Sequence, residues 1–323
     1  METGRALLDR AANATHVRGP ESTAFHVRGR FVFAPYSKQK MEGTYAFAWT
    51  PQGKWREEIS VGDARRLRVG EPGRFVQRQE MGLEVAVFHI IARVLDLHAN
   101  VRAARAGEVR EVSNERKQGR PVQCVTTRLE PKREREICVD TENGLPVSET
   151  VRAQGRSTTY EFSEFSRIGS AWFPRSVKAT SQGRTLLEIA LEEPDTSRTS
   201  AEALFVQPVG AKSWANCEEM QPARPTADIT KGMDNVTRFW KIVYVHGVVE
   251  ADGSVRNPEV LYSLSETLTK AFLAKLRETP FEPARCNGQP VASEQILVLD
   301  LHFATYENED RFTLAAFRGL LLQ

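Results

Sequence analysis

The chain has 323 residues, of which 41% are hydrophobic, and its formal net charge at pH 7 is +2. This length is typical of about two domains, and the hydrophobic content is sufficient for buried cores, which excludes a chain disordered throughout. The small net charge gives no electrostatic case for nucleic-acid binding, because proteins that bind nucleic acid carry a clearly basic face.

The N-terminal residues show neither a targeting signal nor a membrane-spanning segment. No stretch approaches the ~20 hydrophobic residues that a membrane-spanning helix needs, and residues 1–8 lack the hydrophobic core of a signal peptide. A mature form would look the same, because its signal would already be removed. Residues 1–18 are compatible with a short helix whose hydrophobic members are Ala6, Leu7, Leu8, Ala11 and Ala12.

Alternating hydrophobic and polar residues dominate the chain up to residue 195 and predict β-strands. In residues 25–33 the odd positions are hydrophobic and most even positions are polar, as in a half-buried strand. Later strands are predicted around 45–49, 55–61, 122–129, 135–140, 147–152, 158–165, 172–179 and 186–192. Their spacing, with turns such as 142–144 between them, indicates an antiparallel meander.

One segment departs from this alternation. From Leu83 to Arg105 hydrophobic residues recur at helical spacing, at Val87, Ile90, Ile91, Val94, Leu97 and Val101. A helix inside a large antiparallel sheet usually covers one face of it. We therefore predict one curved sheet with helices packed into its concave side.

A second module follows a linker predicted at 216–227, which contains Pro222 and Pro225 and has no periodicity. The predicted domains are 1–215 and 228–323. The second module begins with a strand at 240–250, an Asp252-Gly253 turn and a strand at 255–261, where Pro258 indicates an edge or a bulge.

The rest of the second module is predicted to be a helix and a strand. Ser263 and Glu266 have the spacing of a capping box, with Ser263 as the N-cap. The helix carries a hydrophobic stripe at Leu268, Ala271, Phe272 and Leu276, and a final strand is predicted at 295–303. The predicted class of the whole chain is α+β.

The four cysteines allow two disulfides. Cys124 and Cys138 close a loop of roughly 15 residues, which a disulfide would stabilise by about 3 kcal/mol. Cys217 and Cys286 would form the second pair, and an even count fits an oxidising compartment. The alternative is four small buried hydrophobic side chains. The absence of a CxxC motif argues against structural zinc and thioredoxin-like chemistry.

No motif indicates catalysis. The sequence contains no GxSxG, HExxH, Walker A or GxGxxG pattern. The six histidines are scattered, and Glu57 and Glu58 would point to opposite faces of a strand, which is unsuitable for a shared acid–base pair. We therefore expect no enzymatic activity, no cofactor and no metal. Arginine-rich runs such as 65–68 and 132–135 are interpreted as solvated surface, with contact to anionic headgroups as the alternative.

The second module resembles the C-terminal domain of TonB proteins. The matching residues are Gly247-Val248-Val249-Glu250-Ala251-Asp252-Gly253-Ser254-Val255, Val260, Ser263, Leu268, Ala271, Leu273, Phe281-Glu282-Pro283-Ala284 and Gly288-Gln289-Pro290-Val291. The aspartate that the family usually has after the helix leucine is Thr269 here, and the usual Tyr-Pro is missing from 229–237. The membrane anchor and Pro-rich spacer of an energy-transducing TonB are also absent, which argues against energy transduction.

The first module resembles the LolA/LolB-like half-barrels that carry lipidated proteins or lipids. The matching features are Phe31, Phe33, Gly43-Thr44-Tyr45-Ala46-Phe47-Ala48-Trp49, Lys54-Trp55-Arg56-Glu57-Glu58-Ile59, Gly144-Leu145-Pro146 and Gly169-Ser170-Ala171-Trp172-Phe173-Pro174. The resemblance covers roughly residues 20–195. It implies a half-barrel of eleven strands with a helical plug.

Two binding regions are predicted. The first is a hydrophobic cavity beneath the helix, lined by Phe31, Phe33, Tyr45, Phe47, Trp49, Trp55, Ile91 and Val94. The alternative is an ordinary core. The second region is an edge strand that would accept an extended peptide through Leu297, Leu299, Leu301 and Phe303. The alternative is an internal strand, or one capped by the tail at 311–322.

The leading hypothesis is a non-enzymatic periplasmic adaptor, since the resemblances and the paired cysteines both favour the envelope. Its first module would bind a lipid, an acyl chain of a lipoprotein or another hydrophobic ligand. Its second module would bind an envelope protein or an outer-membrane receptor peptide by strand addition, or form a homodimer. The alternatives are a structural envelope protein with a filled, ligand-free barrel and a hydrolase with a dispersed site.

Overall fold

The computed structural model describes residues 3–19, 22–36, 39–80, 82, 84–130, 133–153, 156–197, 202–217, 220–227, 229, 241–263 and 265–301. The described residues fall into two compact units, one formed by residues within 1–65 and 87–205 and the other by residues within 66–86 and 206–301. Residues 66–86 precede the predicted linker but belong to the second unit. The domain limits 1–215 and 228–323 stay a prediction.

In chain order, the elements up to residue 191 are α1 (Gly4–Ala14), β1 (Phe25–Tyr36), β2 (Gln39–Trp49), β3 (Trp55–Val61), β4 (Ala64–Glu71), β5 (Gly73–Gln79), α2 (Glu84–Leu95), α3 (Leu97–Ala106), β6 (Glu108–Lys117), β7 (Arg120–Glu130), β8 (Arg133–Asp140), β9 (Pro146–Ala153), β10 (Arg156–Ile168), β11 (Ala171–Ser181) and β12 (Arg184–Leu191). A 3₁₀ helix (Glu202–Phe205) precedes β13 (Lys212–Asn216), β14 (Met220–Gln221), β15 (Arg224–Pro225), β16 (Lys241–Val249), β17 (Val255–Ser263), α4 (Glu266–Glu278), β18 (Phe281–Glu282), β19 (Ala284–Cys286), β20 (Gln289–Val291) and β21 (Ser293–Leu301).

The first unit is built on an open antiparallel sheet. Ten of its strands are neighbours in the order β3-β2-β1-β12-β11-β10-β9-β8-β7-β6, so that β1 joins the early strands to the later meander. The antiparallel sheet and the six later strands predicted from the alternation are confirmed, within a few residues at their ends. An open sheet of this kind is what a half-barrel requires.

Helices α1, α2 and α3 are hydrophobic on the sides that they bury. The α1 helix begins at the N-cap Thr3 and buries Leu7, Leu8, Ala11 and Ala12. It packs against α3, and both helices contact strand β8, so they lie on the same part of the sheet. The predicted N-terminal helix is therefore confirmed. Among the described residues, no helix is long and hydrophobic enough to cross a membrane.

The helical character predicted for the segment from Leu83 to Arg105 is confirmed, but the segment is not one continuous helix. The chain forms α2 and α3 instead, with the break at Asp96, whose backbone has φ −88° and ψ 63°. The Asp96 carboxylate accepts a hydrogen bond of 3.2 Å from the Ala99 backbone N–H and so caps α3. Aspartate competes in this way with helix continuation, and hydrophobic periodicity does not detect the competition.

Among the described residues, the second unit contains four groups of paired strands. Their strand orders are β13-β5-β4, β17-β16-β21, β14-β19-β20 and β15-β18. Helix α4 contacts β16 and β17, and the shared core consists of Val243, Val245, Val249, Leu268, Phe272, Leu276, Phe281 and Leu297. The predicted succession of strand, turn, strand, helix and strand is confirmed, while the assignment to the TonB family stays a prediction. The predicted linker region contains β14 and β15, which pair with β19 and β18.

The N-cap of α4 is Ser265 rather than the predicted Ser263. The Ser265 hydroxyl accepts a hydrogen bond from the Leu268 backbone N–H at 3.3 Å. The Ser263 hydroxyl accepts one from the Ser265 backbone N–H at 3.0 Å, so it braces the residue before the helix. Both serines have capping chemistry, and the sequence alone could not decide which of them has the extended backbone of an N-cap.

Both predicted disulfides are present. Cys124 and Cys138 face each other across β7 and β8, with their Cα atoms 3.9 Å apart. Cys217 and Cys286 are bonded across 69 residues of sequence within the second unit. The Glu115 carboxylate lies close to the Cys124 and Cys138 sulfurs, but bonded sulfurs offer no thiolate to a metal.

Candidate functional site

A small cavity lies in the first unit, on the helix-covered face of the sheet. It has a volume of about 60 Å³. It is lined by the segment after α1, by the junction of α2 and α3, and by strands β1, β2, β3 and β11. The lining residues are Thr15, His16, Val17, Arg18, Phe25, Tyr45, Phe47, Glu57, Ala92, Leu95, Asp96, Leu97, His98, Trp172, Phe173 and Pro174.

Aromatic side chains form the sheet wall of the cavity. In the register of β1 and β2, Val27 lies opposite Phe47 and Gly29 opposite Tyr45, which places Phe25, Tyr45 and Phe47 on one face. The ring centroids of Phe25 and Phe47 are 5.8 Å apart, and those of Phe25 and Phe173 are 6.5 Å apart. These rings give the cavity a hydrophobic wall that is continuous with the core.

An ion pair closes the cavity on its polar side. The Arg18 guanidinium donates to the Asp96 carboxylate, and the two side chains are 38% and 32% exposed. The Arg18 guanidinium carbon also lies 5.9 Å from the centre of the Phe47 ring. Burial opposes ionisation of Asp96, but the charge and hydrogen bonds of Arg18 outweigh burial and hold the pKa of this carboxyl below its usual value.

Two histidines stack beside this ion pair. The rings of His16 and His98 are nearly parallel, with centroids 4.1 Å apart and an interplanar angle of 7°. Nδ1 of His98 lies 2.8 Å from the Ala12 carbonyl oxygen, which accepts a hydrogen bond from the Nδ1–H group. Burial lowers the pKa of His98, the Ala12 carbonyl opposes this effect, and the neighbouring His16 lowers the pKa further. The neutral form of His98 is therefore favoured in the folded protein.

Of the eight side chains predicted to line a hydrophobic cavity, Tyr45 and Phe47 line this one. Five others are buried in the hydrophobic core: Phe31, Phe33, Trp49, Ile91 and Val94. Trp55 is half-buried, with its ring stacked at 6.4 Å from that of Phe47.

Sequence reasoning missed the polar side of the cavity. Arg18 and Asp96 are 78 residues apart, and no local pattern connects them. Phe25 could have been included, because it has the same alternation as Phe31 and Phe33. Asp96 also had a detectable signal, since an aspartate between two hydrophobic helical stretches is a candidate N-cap.

The predicted peptide-binding strand lies at a margin of its sheet. Strand β21 pairs with β16, and among the strands that the structure describes none pairs with its other side in this sheet. The Leu297 side chain is 9% exposed and packs into the core of the second unit. The Leu299 and Leu301 side chains, Phe303 and the tail at 311–322 lie outside the described residues.

A buried polar cluster joins β5 and β21 within the second unit. The Glu294 carboxylate accepts hydrogen bonds from the Gln77 amide at 2.6 Å and from the Gln79 amide at 3.3 Å. Nε2 of His246 lies 3.5 Å from the same carboxylate. Burial opposes ionisation of Glu294, but His246 and Gln77 outweigh it and lower the pKa of the carboxyl. These hydrogen bonds connect the β4–β5 hairpin, which contains Gln77, to strand β21.

Comparisons with known proteins give distant structural neighbours. No model of a protein family matches the chain. No curated protein matches it either. Its structural neighbours include a LolA superfamily protein from Nitrosomonas europaea, which is 11% identical, with a TM-score of 0.41 over 64% of this chain and 99% of that one. A DUF1329 family protein from Desulfovibrio piger is 10% identical, with a TM-score of 0.43 over 63% of this chain and 96% of that one.

A third neighbour is the complex of MucA and MucB from Pseudomonas aeruginosa. It is 18% identical, with a TM-score of 0.30 over 69% of each chain. A LolA superfamily protein is thus among the neighbours, and none of these three is a TonB protein. Likeness at such identities and TM-scores does not establish a function for this chain.

Proposed function

We propose that this protein is a non-enzymatic binding protein whose first unit takes up an acyl chain at the helix-covered face of its sheet. The observation that carries the proposal is the cavity, which has an aromatic wall and a rim formed by the Arg18–Asp96 ion pair. Such a site supplies hydrophobic contact to a chain and a polar boundary to its headgroup. None of the described residues that line it is arranged as an activated nucleophile, which favours binding over catalysis.

The cavity must enlarge to hold such a ligand. A volume of about 60 Å³ has room for a few water molecules, whereas ligand pockets measure roughly 300–1,000 Å³. Burying a dozen methylene groups would contribute about 10 kcal/mol at ~0.8 kcal/mol each. Separating the Arg18–Asp96 pair, whose side chains are 38% and 32% exposed, costs roughly 1 kcal/mol on the scale of solvent-exposed pairs. Chain burial can therefore offset the opening of the Arg18–Asp96 rim.

The compartment and the partner belong to the same proposal. The two disulfides support an oxidising compartment, and we place the protein in the periplasm. The second unit would bind an extended peptide of an envelope partner at the margin of β21, in the manner of a TonB C-terminal domain, or pair there with a second copy. A strand at the margin of a sheet presents backbone N–H and C=O groups to an added strand, which supports this mode of binding.

A fluorescent fatty acid tests the chain-binding proposal. Replacing Ala92, which lines the cavity, by tryptophan fills the available space, so Ala92→Trp should weaken binding at least tenfold. The matched control is Ala99→Trp on the exposed side of α3, which should bind as the unmodified protein does. Lipid extraction and native mass spectrometry of the purified protein would reveal acyl material that co-purifies. Absence of uptake by the unmodified protein would reject the proposal.

The small size of the cavity supports a second candidate, a structural envelope protein with a filled sheet. In that case Phe31, Phe33 and Ile91 form an ordinary core, consistent with exposures of 2%, 0% and 0%. The fatty-acid titration separates the two candidates, because a structural protein takes up no chain and is indifferent to Ala92→Trp.

A further inference from the structure

The segment that follows α1 is attached to the junction of α2 and α3 by two side-chain contacts. Arg18 is paired with Asp96, and the ring of His16 stacks on the ring of His98. In both segments the two contact residues are separated by one residue, so the ion pair and the stack lie next to each other. All four residues line the cavity. We call residues 15–19 the lid segment, because they form one side of the cavity.

Local hydrogen bonds fix the positions of the two histidines. The His16 carbonyl oxygen accepts from the Gly19 backbone N–H at 3.1 Å and from the Ser22 hydroxyl at 3.2 Å. A Cβ added to Gly19 would lie 3.1 Å from Nδ1 of His16, so the turn folds closely around this ring. The His98 ring is held by its hydrogen bond to the Ala12 carbonyl oxygen at 2.8 Å. Separation of the two rings therefore moves the lid segment.

The stack of His16 on His98 is suited to neutral rings. With the ring centroids 4.1 Å apart, two imidazolium charges would repel each other strongly in surroundings less polar than bulk water. Burial and the neighbouring His16 lower the pKa of His98, so the stacked arrangement favours the neutral ring. Once the rings are separated and hydrated, both histidines regain the usual histidine pKa of about 6.5. Protons therefore favour the separated arrangement.

Other charged or titratable groups line the cavity or belong to α1 and α3: Asp9, Arg18, Tyr45, Glu57, Asp96, Arg102 and Arg105. Asp96 favours a charge on His98, and Arg102 opposes it. Arg18 holds the pKa of Asp96 below its usual value, so the ion pair persists while the histidines titrate. Histidine is the side chain whose usual pKa lies between pH 5 and 8. The stack is thus the contact of the lid segment that responds to pH in this range.

We propose that the stacked His16 and His98 form a pH-sensitive lock on the lid segment and regulate the entry of an acyl chain into the cavity. The inference rests on the proposed function, because it assigns a regulation to the same cavity. At neutral pH the stack and the Arg18–Asp96 pair together hold the lid segment against the α2–α3 junction. As the pH falls, protonation of both rings removes one of these two contacts. Because the cavity must enlarge to hold a chain, binding takes up protons and becomes tighter at acidic pH.

A ligand of constant charge tests the effect on binding. Lysophosphatidylcholine with a fluorescent acyl chain is titrated into the full chain at pH 7.5 and at pH 5.5, below its micelle concentration. We expect at least fivefold tighter binding at pH 5.5. In His16→Phe the position keeps a ring that cannot be protonated and that attracts a protonated His98, so the affinity should change less than twofold. Arg105→Gln is the matched control, since it removes the exposed Arg105–Asp9 pair between α3 and α1, and it should keep the fivefold change.

Hydrogen exchange tests the lid segment without a ligand. The backbone N–H groups of Val17 and Gly19 donate to the Thr15 and His16 carbonyl oxygens, so their exchange reports opening of this turn. After correction for the intrinsic pH dependence of exchange, both amides should exchange at least fivefold faster at pH 5.5 than at pH 7.5 in the unmodified protein. In His16→Phe the corrected rates should be equal at the two pH values.

The outcomes separate this inference from the proposed function. Equal affinity for the lipid at the two pH values overturns the lock and leaves chain binding intact. Faster exchange at pH 5.5 without binding of the lipid at either pH supports the lock and removes the acyl proposal. Unchanged exchange overturns the lock whether or not the lipid binds, and so does a pH dependence that persists in His16→Phe. Both measurements on the unmodified protein stand even if His16→Phe does not fold.

Discussion

At the scale of single residues, Asp96 combines three structural tasks. It interrupts the helical segment between Leu95 and Leu97, caps α3 through the Ala99 backbone N–H, and binds the Arg18 guanidinium at the rim of the cavity. The capping task needs only an oxygen acceptor, whereas the rim needs a negative charge. The two tasks can therefore be separated by substitution.

We expect Asp96→Asn to retain the cap and lose the ion pair, and Asp96→Ala to lose both. Because an N-cap contributes about 1 kcal/mol, the free energy of unfolding in urea at pH 7 should be lower for Asp96→Ala than for Asp96→Asn by roughly that amount. Asp63→Asn, in an exposed turn, is the control and should leave stability unchanged. Equal stabilities of the two Asp96 variants would show that the cap contributes nothing.

His98 gives a pH dependence of stability. Its pKa in the folded protein lies below its usual value of about 6.5, so the folded state binds fewer protons than the unfolded state. Stability is then full above pH 6.5 and decreases as the pH falls toward the lower folded pKa. Urea unfolding between pH 7.5 and 5 should show this decrease, and His98→Gln should reduce it. A decrease unchanged in His98→Gln would assign it to another group.

The site was only partly predictable from the sequence at this scale. Tyr45 and Phe47 were predictable because alternation along a strand reports which side chains share a face. The contacts of Arg18 with Asp96 and of His16 with His98 depend on how α1 and α3 pack against each other. No pattern in the sequence between the two helices predicts that packing.

At the scale of elements, the β16–β17 turn depends on Gly253. This residue has φ +84°, and a Cβ built on it would lie 2.1 Å from the Phe281 carbonyl oxygen. The close approach allows the Phe281 backbone N–H to donate to the Gly253 carbonyl at 3.0 Å. A side chain at this position would therefore disturb both the turn and the segment after α4.

We expect Gly253→Ala to destabilise the protein by more than the ~1 kcal/mol that a left-handed backbone conformation costs a residue with a Cβ. Gly119→Ala is the matched control, because Gly119 has φ +78° and a Cβ added to it would meet nothing within 4 Å. The difference between their midpoints of urea unfolding measures the clash with Phe281. Identical midpoints would mean that the Phe281 segment moves aside without cost.

The two disulfides should differ in their contributions. In the chain-entropy description, closing the shorter loop, Cys124–Cys138, contributes about 3 kcal/mol, and closing the longer loop, Cys217–Cys286, about 4 kcal/mol. Replacing Cys217 and Cys286 by alanines should therefore lower the free energy of unfolding more than replacing Cys124 and Cys138 does. Both effects are measured by urea unfolding without reductant. If the shorter loop proves the more stabilising, residual structure in the unfolded chain outweighs loop length.

Helices and strands were predicted best where the hydrophobic pattern of their own residues determines them. The strands from β7 to β12 followed the alternation, and α4 followed its stripe of Leu268, Phe272 and Leu276. Predictions were wrong where two local solutions compete, as at Asp96 within the helical segment and at Ser263 against Ser265. In both cases the deciding factor is the backbone conformation that the surrounding packing selects.

At the scale of the whole molecule, the second unit is assembled from two distant parts of the chain. Strand β5, from residues 66–86, pairs with β13, and its Gln77 and Gln79 donate to Glu294 of β21. No pattern in the sequence indicates this grouping, because the hairpin of β4 and β5 has the same alternation as the strands before it. Sequence proximity suggested instead that all residues up to 215 belong together.

We expect a fragment of residues 206–323 to be less stable than the same residues in the intact protein. Strand β13 would lose its pairing with β5, and Glu294 would lose two amide donors, each contributing about 1.5–3 kcal/mol as a hydrogen bond to a charged group. Thermal unfolding followed by circular dichroism measures the effect. The intact chain with Gln77→Ala and Gln79→Ala is the companion variant, since it removes the donors alone. A fragment as stable as the intact protein would show that residues 66–86 are dispensable.

The grouping of β5 with β13 has a consequence during synthesis. The ribosome adds about 5–20 residues per second, so roughly ten seconds pass between the emergence of residue 86 and that of residue 206. Throughout that interval the edge of β5 that later pairs with β13 has no partner. An unpaired strand edge on a nascent chain can pair with a wrong strand. Export of the chain before it folds, or a chaperone that holds it, would shorten this exposure.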